Sequence, residues 1–120
     1  MAVPEYSVHY LEIVTPDAKS ACDLYTKSYD WHFQGMDPHL GNAFVAKLPD
    51  GSLCGIRAPM NPEEKPVVRT YLRVTDIETA VRGVAQLGAT ILLERMEIPG
   101  HGTIAIYEHG GIQQGLWQVP

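Results

Sequence analysis

With 120 residues and a mass of 13.3 kDa, the chain has the length of one domain and is too short for two independent cores. Its 45% apolar and 19% charged residues are typical of a globular protein. The net charge of −5 and the absence of a lysine and arginine cluster argue against a nucleic-acid partner. No apolar run approaches the roughly 20 residues that span a bilayer, and the opening residues MAVPEYS lack a charged-then-apolar leader. We therefore expect a cytoplasmic protein with no membrane partner.

The first half of the chain predicts a strand, a helix and three further strands. A strand-like run ends at Thr15, and Asp17 is placed to cap a helix. The apolar residues of that helix recur at i, i+3, i+4 and i+7, namely Ala18, Ala21, Cys22 and Tyr25. Strand-like stretches follow at about 31–35, 42–48 and 52–57, with a turn at Pro49-Asp50-Gly51 between the last two.

The second half repeats this order after a proline-rich joint at 59–66. A strand-like run over YLRVT leads to Asp76, which is placed to cap a second helix with the apolar stripe Ile77, Ala80, Val81 and Val84. Strands are predicted at 90–97, 102–108 and 111–118, with a turn at 108–111. Cys22 and Cys54 fall in different elements without CxxC spacing, which favours buried free thiols over a disulfide or a zinc site.

A fixed offset relates the two halves. Asp76 follows Asp17 by 59 residues, and Gly110 follows Gly51 by the same interval. Two anchors with one spacing indicate an internal duplication. The prediction is a single domain, 1–120, made of two β-α-β-β-β units at about 5–58 and 67–119, because about 55 residues cannot bury both faces of their own sheet.

The doubled order resembles the vicinal oxygen chelate superfamily, which includes glyoxalase I, extradiol dioxygenases, and the fosfomycin- and bleomycin-resistance proteins. The residues that carry the resemblance are Asp17 followed by Tyr25, the Gly88-Ala89 break, and the ending IPGHGT (98–103) to GLW (115–117). This ending resembles a hydroxylase-like, glyoxalase-related subgroup. The resemblance implies an α+β fold in which two tandem units form a curved mixed sheet around a cleft.

The metal enzymes of this superfamily resemble one another in their ligand set, a histidine on the first strand and a glutamate on the last strand of each unit. The matching positions here are Tyr10, Gly55, Arg69 and Gly115, and none of them carries such a ligand. The sequence therefore predicts no metal and no cofactor, and it predicts that the two glycines leave room at the floor of the cleft.

The histidines do not supply a substitute ligand set. Strand alternation points His9 away from the cleft, so we expect it beneath the helix with one ring nitrogen hydrogen-bonded. His101 and His109 are eight residues apart along one strand, too far for a single ion. His32 and His39 are expected to be exposed, and Gly100-His101-Gly102 is read as a turn rather than an anion-binding loop.

The same alternation places a set of aromatic and polar side chains toward the cleft. The predicted ligand-binding residues are Tyr10, Arg57, Arg69, Tyr71, Arg73, Gln113 and Trp117, with Val8 and Leu53 beside them. Glu12 is the candidate general base, because a carboxylate within an apolar strand needs a partner or an upward-shifted pKa. Arg69 or Arg73 could pair with Glu12, and the alternative is that Glu12 forms only a structural ion pair.

Three functions remain open. The first is binding of an organic small molecule in a metal-free cleft, as in the bleomycin-resistance proteins. The second is a metal-independent enzyme, a lyase, isomerase or hydroxylase-like protein with Glu12 as base. The third is a divalent-metal lyase or dioxygenase. The sequence has no motif of nucleotide-binding proteins, serine hydrolases or zincins. A homodimer is expected because short units leave sheet edges to pair.

Overall fold

The computed structural model describes residues 4–120. In chain order its elements are β1 (Val8–Val14), α1 (Ala18–Tyr29), a 3₁₀ turn (Pro38–Leu40), β2 (Phe44–Lys47), β3 (Leu53–Arg57), β4 (Val67–Arg73), α2 (Ile77–Gln86), β5 (Thr90–Ile98), β6 (Gly102–His109) and β7 (Ile112–Gln118). The predicted α+β class is confirmed. Within the described range no helix is both long enough and apolar enough to span a membrane.

The chain packs as two units that depart slightly from the repeat boundaries. The N-terminal unit is Tyr10–Val68, and the C-terminal unit combines residues 4–9 with Arg69–Pro120. The first residues belong to the C-terminal unit because they hydrogen-bond to the end of β4. The Tyr6 amide donates to the Arg73 carbonyl at 2.7 Å, and the Arg73 amide donates to the Ser7 carbonyl at 2.8 Å.

In the N-terminal unit the strand order is β2-β3-β1, with β3 antiparallel to β2 and parallel to β1. Ile13, Cys54 and Ile56 are buried in a cluster with Ala18 of α1. Since neighbouring residues of a strand point to opposite faces, Tyr10, Glu12, Gly55 and Arg57 lie on the other face. We call the face opposite a unit's helix its helix-free face.

The C-terminal unit has the strand order β4-β7-β6-β5, with β4 parallel to β7 and the other pairs antiparallel. Its core packs α2 against β4, β6 and β7, through Val74, Ile77, Ala80, Val81, Ala105 and Leu116. Alternation then places Tyr71, Arg73, Gly115 and Trp117 on the helix-free face. In each unit the helix covers one side of the strands.

The predicted strand at 31–35 is wrong as a continuous strand. Only isolated bridges remain, from Phe33 to Ala46 and from Asp37 to Ala43. The bridged residues are four positions apart in one segment and three positions apart in the other, so an extra residue interrupts the ladder. The segment also begins at Asp30 in the left-handed conformation, with φ of 61°. A sequence pattern of alternating residues does not reveal such a mismatch.

The two helix-capping predictions have different outcomes. The Asp76 carboxylate accepts hydrogen bonds from the Glu78 and Thr79 amides, and the hydrogen bonds to Thr79 lower its pKa more than any other interaction. Asp17 also precedes its helix, but its side chain makes no capping hydrogen bond. At Asp17 the capping prediction is therefore wrong, although the predicted start of α1 is correct.

The prediction of free thiols is confirmed. Cys22 is half-buried and Cys54 is fully buried, and neither is in a disulfide. Burial raises the pKa of Cys54 to about 12, which keeps this thiol protonated and unreactive at neutral pH.

Candidate functional site

A tyrosine covers a glycine on the helix-free face of the N-terminal unit. Tyr10 of β1 is 3% exposed, and its side chain lies over Gly55 of β3. A β-carbon built on Gly55 would overlap the Tyr10 hydroxyl and ring. The position where a side chain of residue 55 would project is therefore occupied by Tyr10.

In the C-terminal unit a tyrosine also covers a glycine, but this tyrosine stands at a different position of its strand. Tyr71 of β4 pairs directly with Gly115 of β7, and its ring occupies the space where a β-carbon on Gly115 would lie. Tyr71 is 4% exposed. By the offset of 59 it corresponds to Glu12, not to Tyr10, so the two glycines are covered from non-equivalent positions. The predicted room above these glycines is filled, because an adjacent aromatic ring packs into the space left by the missing side chain.

These residues do not fit the divalent ion of the metal enzymes that the sequence resembles. The positions matching the ligand set are Tyr10, Gly55, Arg69 and Gly115, and the two glycines offer no donor and no space for one. Within residues 4–120, no three histidine, cysteine, aspartate or glutamate side chains come together in a way that would hold a metal. A donor set of this composition cannot supply the imidazole and carboxylate ligands of such a site.

Glu12 is held by a buried arginine of its own unit. The Arg57 Nε donates to Glu12 Oε2 at 3.0 Å, with the two residues 5% and 9% exposed. Arg57 had been placed on this face by the sequence without being assigned as the partner of Glu12. A pairing of Glu12 with Arg69 stays a prediction.

Glu64 joins Glu12 and Arg57 to form an ion cluster of three side chains, and the sequence did not predict its part in it. Arg57 donates through both terminal nitrogens to the two Glu64 oxygens, at 2.9 and 2.7 Å. Glu64 Oε1 also accepts from the Met60 amide at 2.7 Å. The hydrogen bonds that Arg57 donates to Glu64 and the negative charge of Glu12 raise the pKa of Arg57 above its ordinary value, while burial opposes this. Glu64 lies in the proline-rich joint, where no periodic pattern indicates the direction of a side chain.

The predicted ligand-binding residues of the C-terminal unit share its helix-free face. Arg69 is 9% exposed, and its Nη2 donates to Gln113 Oε1 at 2.5 Å. Arg73 is half-buried, and in the described part of the chain its guanidinium makes no hydrogen bond or ion pair, so it is not the partner of Glu12. Arg73 pairs in register with Trp117.

Trp117 connects several groups of this face. It is 2% exposed, and it packs edge-to-face on Tyr71 with ring centroids 5.5 Å apart. On another side His9 packs edge-to-face on Trp117, at 5.1 Å. The Trp117 Nε1 donates to the His101 carbonyl at 2.7 Å.

The expected position of His9 beneath a helix is wrong. His9 contacts Trp117, whose side chain lies on the face opposite α2, and residues 4–9 pack with the C-terminal unit. Burial is the main cause that lowers the pKa of His9, and the nearby Arg73 and His101 lower it further. The predictions for His32 and His39 are confirmed, since both are exposed.

Known proteins were compared with this chain in sequence and in structure. No known family profile matches it. The curated protein named "Putative glyoxylase CFP32", from Mycobacterium tuberculosis, is 25% identical over 117 residues. The match covers 92% of this chain and 45% of that protein, so the chain spans about half the length of the curated relatives it matches.

Solved structures of similar size have the same architecture. A hypothetical protein from Bacillus halodurans superimposes with a TM-score of 0.78 at 14% identity, covering 95% of this chain and 94% of the other. Methylmalonyl-CoA epimerase from Mycobacterium tuberculosis superimposes with a TM-score of 0.75 at 15% identity, covering 100% and 93%. The chain has the fold of the vicinal oxygen chelate superfamily. The resemblance seen in the sequence is thereby confirmed, whereas membership of the subgroup without metal ligands stays a prediction.

Because Tyr10 packs over Gly55, replacing Gly55 by alanine should lower the stability of the protein, whereas the same replacement at a glycine with free space around it should not. Gly55→Ala should destabilise the protein by about 1–3 kcal/mol, because the new methyl group displaces the Tyr10 ring. Gly83→Ala is the matched control. It lies on α2 with nothing within 4 Å of the added carbon, and it should stabilise the helix by about 0.5–1 kcal/mol. Urea unfolding monitored by circular dichroism measures both, and equal stability of Gly55→Ala and the parent would contradict the packing.

Neighbouring glutamates test the ion cluster of the N-terminal unit. Glu64→Gln should cost about 1.5–3 kcal/mol, because it replaces charge-assisted hydrogen bonds to a buried arginine. Glu63→Gln, at an exposed position one residue earlier, should change the free energy of unfolding by about 0.5 kcal/mol or less. Equal effects of the two substitutions would show that the bidentate pair with Arg57 is not formed in solution.

Proposed function

We propose that this chain binds an organic small molecule through the aromatic and charged residues of its helix-free faces, without a divalent metal. The single observation that carries the proposal is the tyrosine packing over Gly55 and Gly115, which fills the positions of two metal-binding carboxylates. The residues proposed to contact the ligand are Tyr10, Arg57, Arg69, Tyr71, Arg73, Gln113 and Trp117. Aromatic surface with a few directed polar groups is the usual composition of a small-molecule site.

The similarity to known proteins supports a small organic ligand. The curated relative is named a glyoxylase, and solved structures with this fold include methylmalonyl-CoA epimerases. Methylmalonyl-CoA is an anionic thioester, and the Arg73 guanidinium of the proposed site offers donors for an anion. A thioester of coenzyme A is therefore a suitable first compound to test. A cytoplasmic homodimer is proposed as the working form of the protein.

A metal-independent enzyme is the second candidate. Glu12 is buried as a general base requires, but its Oε2 already accepts a hydrogen bond from the Arg57 Nε. A binding protein therefore agrees better with this carboxylate than a catalyst does. Turnover that disappears in Glu12→Gln but persists in Glu63→Gln would instead favour the enzyme.

A thermal-shift screen with chelator-treated protein tests the proposal. The compounds are methylmalonyl-CoA, free coenzyme A and aromatic drugs, each with and without EDTA. A ligand present at a hundred times its Kd should stabilise the protein by about 2.7 kcal/mol, and EDTA should not change this effect. The opposite result is stabilisation by one equivalent of Ni²⁺, Zn²⁺, Mn²⁺ or Fe²⁺ together with ligand binding that EDTA abolishes. That result would overturn the metal-free proposal.

A further inference from the structure

Three basic residues that are distant in sequence lie next to Trp117 in the C-terminal unit. Arg73 is the register partner of Trp117 on the adjacent strand, so the two side chains leave the same face next to each other. His9 packs its ring on the Trp117 indole. The His101 carbonyl accepts the indole N–H, which anchors the turn between β5 and β6 at the same place.

The backbone around these groups is held by the sheet. The Arg73 amide and carbonyl both bond to residues 6–7, and the His101 amide donates to the Ile98 carbonyl at 2.9 Å. Gly102, the next residue, packs so closely on the Gln118 carbonyl that no side chain fits there. The positions of the three basic residues are therefore built into the fold.

Two acidic residues of the adjoining segments are held by backbone amides. Glu5 accepts a hydrogen bond from the Thr75 amide, and Asp76 caps α2. Neither makes an ion pair with Arg73, whose guanidinium has no hydrogen-bonded partner within residues 4–120. Arg73 and His101 both lower the pKa of His9, so each lies near enough to His9 to disfavour its charged form. A bound anion would counter this effect.

We propose that Arg73, His9 and His101 form a binding site for the anionic group of an organic molecule, a carboxylate or a phosphate ester. The half-buried guanidinium provides the permanent charge and a fork of donors that matches either group. The two imidazoles add charge when they are protonated. The Trp117 side chain lies between His9, which packs on its ring, and His101, whose carbonyl accepts its N–H. This inference rests on the proposed ligand-binding function for the identity of the ligand, but the site itself can be tested alone.

The consequence for pH has a definite sign. The folded pKa of His9 lies below its ordinary value, and an anion bound beside it favours the protonated ring, so it should raise this pKa. Binding must then tighten as the pH falls through the His9 titration, by up to about tenfold per pH unit between the pKa values without and with the anion.

The experiment is a histidine titration by NMR in sodium sulfate and in sodium chloride of equal ionic strength. Sulfate is the probe because it does not titrate near neutral pH. In the parent protein sulfate should raise the pKa of His9 relative to chloride. In Arg73→Gln this difference should disappear, whereas Arg82→Gln, an exposed arginine on α2, should keep it. Circular dichroism of both variants checks that they fold.

Competition identifies the kind of anion. Methyl phosphate and methylmalonate are added to the sulfate-bound protein, and the one that displaces sulfate at the lower concentration names the preferred group. An equal His9 pKa in sulfate and chloride, or an unchanged sulfate effect in Arg73→Gln, would overturn the site. Because sulfate is not the organic ligand, a failed ligand screen combined with a positive sulfate result would leave this site standing and refute only the proposed function.

Discussion

A steric constraint at two glycines determines what the helix-free faces can hold. Gly55 and Gly115 have no side chain, and Tyr10 and Tyr71 occupy the space that a side chain would need. A side chain at either glycine would have to displace the tyrosine, because an added carbon and the tyrosine side chain cannot occupy the same volume. Where the resemblance places carboxylate ligands, the chain places the hydroxyl end of Tyr10 and the ring of Tyr71. On this basis we propose that the helix-free faces contact an organic molecule rather than coordinate an ion.

The buried and half-buried arginines of the two units differ in their surroundings. In the N-terminal unit, Arg57 is surrounded by Glu12 and Glu64, so its charge is compensated within the protein. In the C-terminal unit, Arg73 has no hydrogen bond or ion pair among the described residues and lies near His9 and His101. A compensated arginine stabilises structure, whereas an uncompensated, half-buried one is suited to an external anion. The two arginines, both predicted as ligand contacts, therefore differ in what their surroundings allow.

Sequence periodicity predicted the helices and most strands because their burial is one-sided and repeats regularly. Ile77, Ala80 and Val81 pack as the α2 stripe indicated, and the turns containing Gly51 and Gly110 have the positive φ expected. The interrupted segment at 31–37 was not predictable, since a bulge depends on the register of the partner strand. Glu64 was missed for a related reason, because a loop side chain is placed by its tertiary partner, here Arg57. The glycines were noticed, but the filling of their space by tyrosines depends on cross-strand packing.

The most direct test is a crystal structure of the protein grown with excess Mn²⁺, with data collected for anomalous scattering. We expect tyrosine density over both glycines and no anomalous peak near Gly55 or Gly115. A peak there with protein ligands around it, or tyrosine rings turned away from the glycines, would show that the tyrosines do not close these positions to a metal.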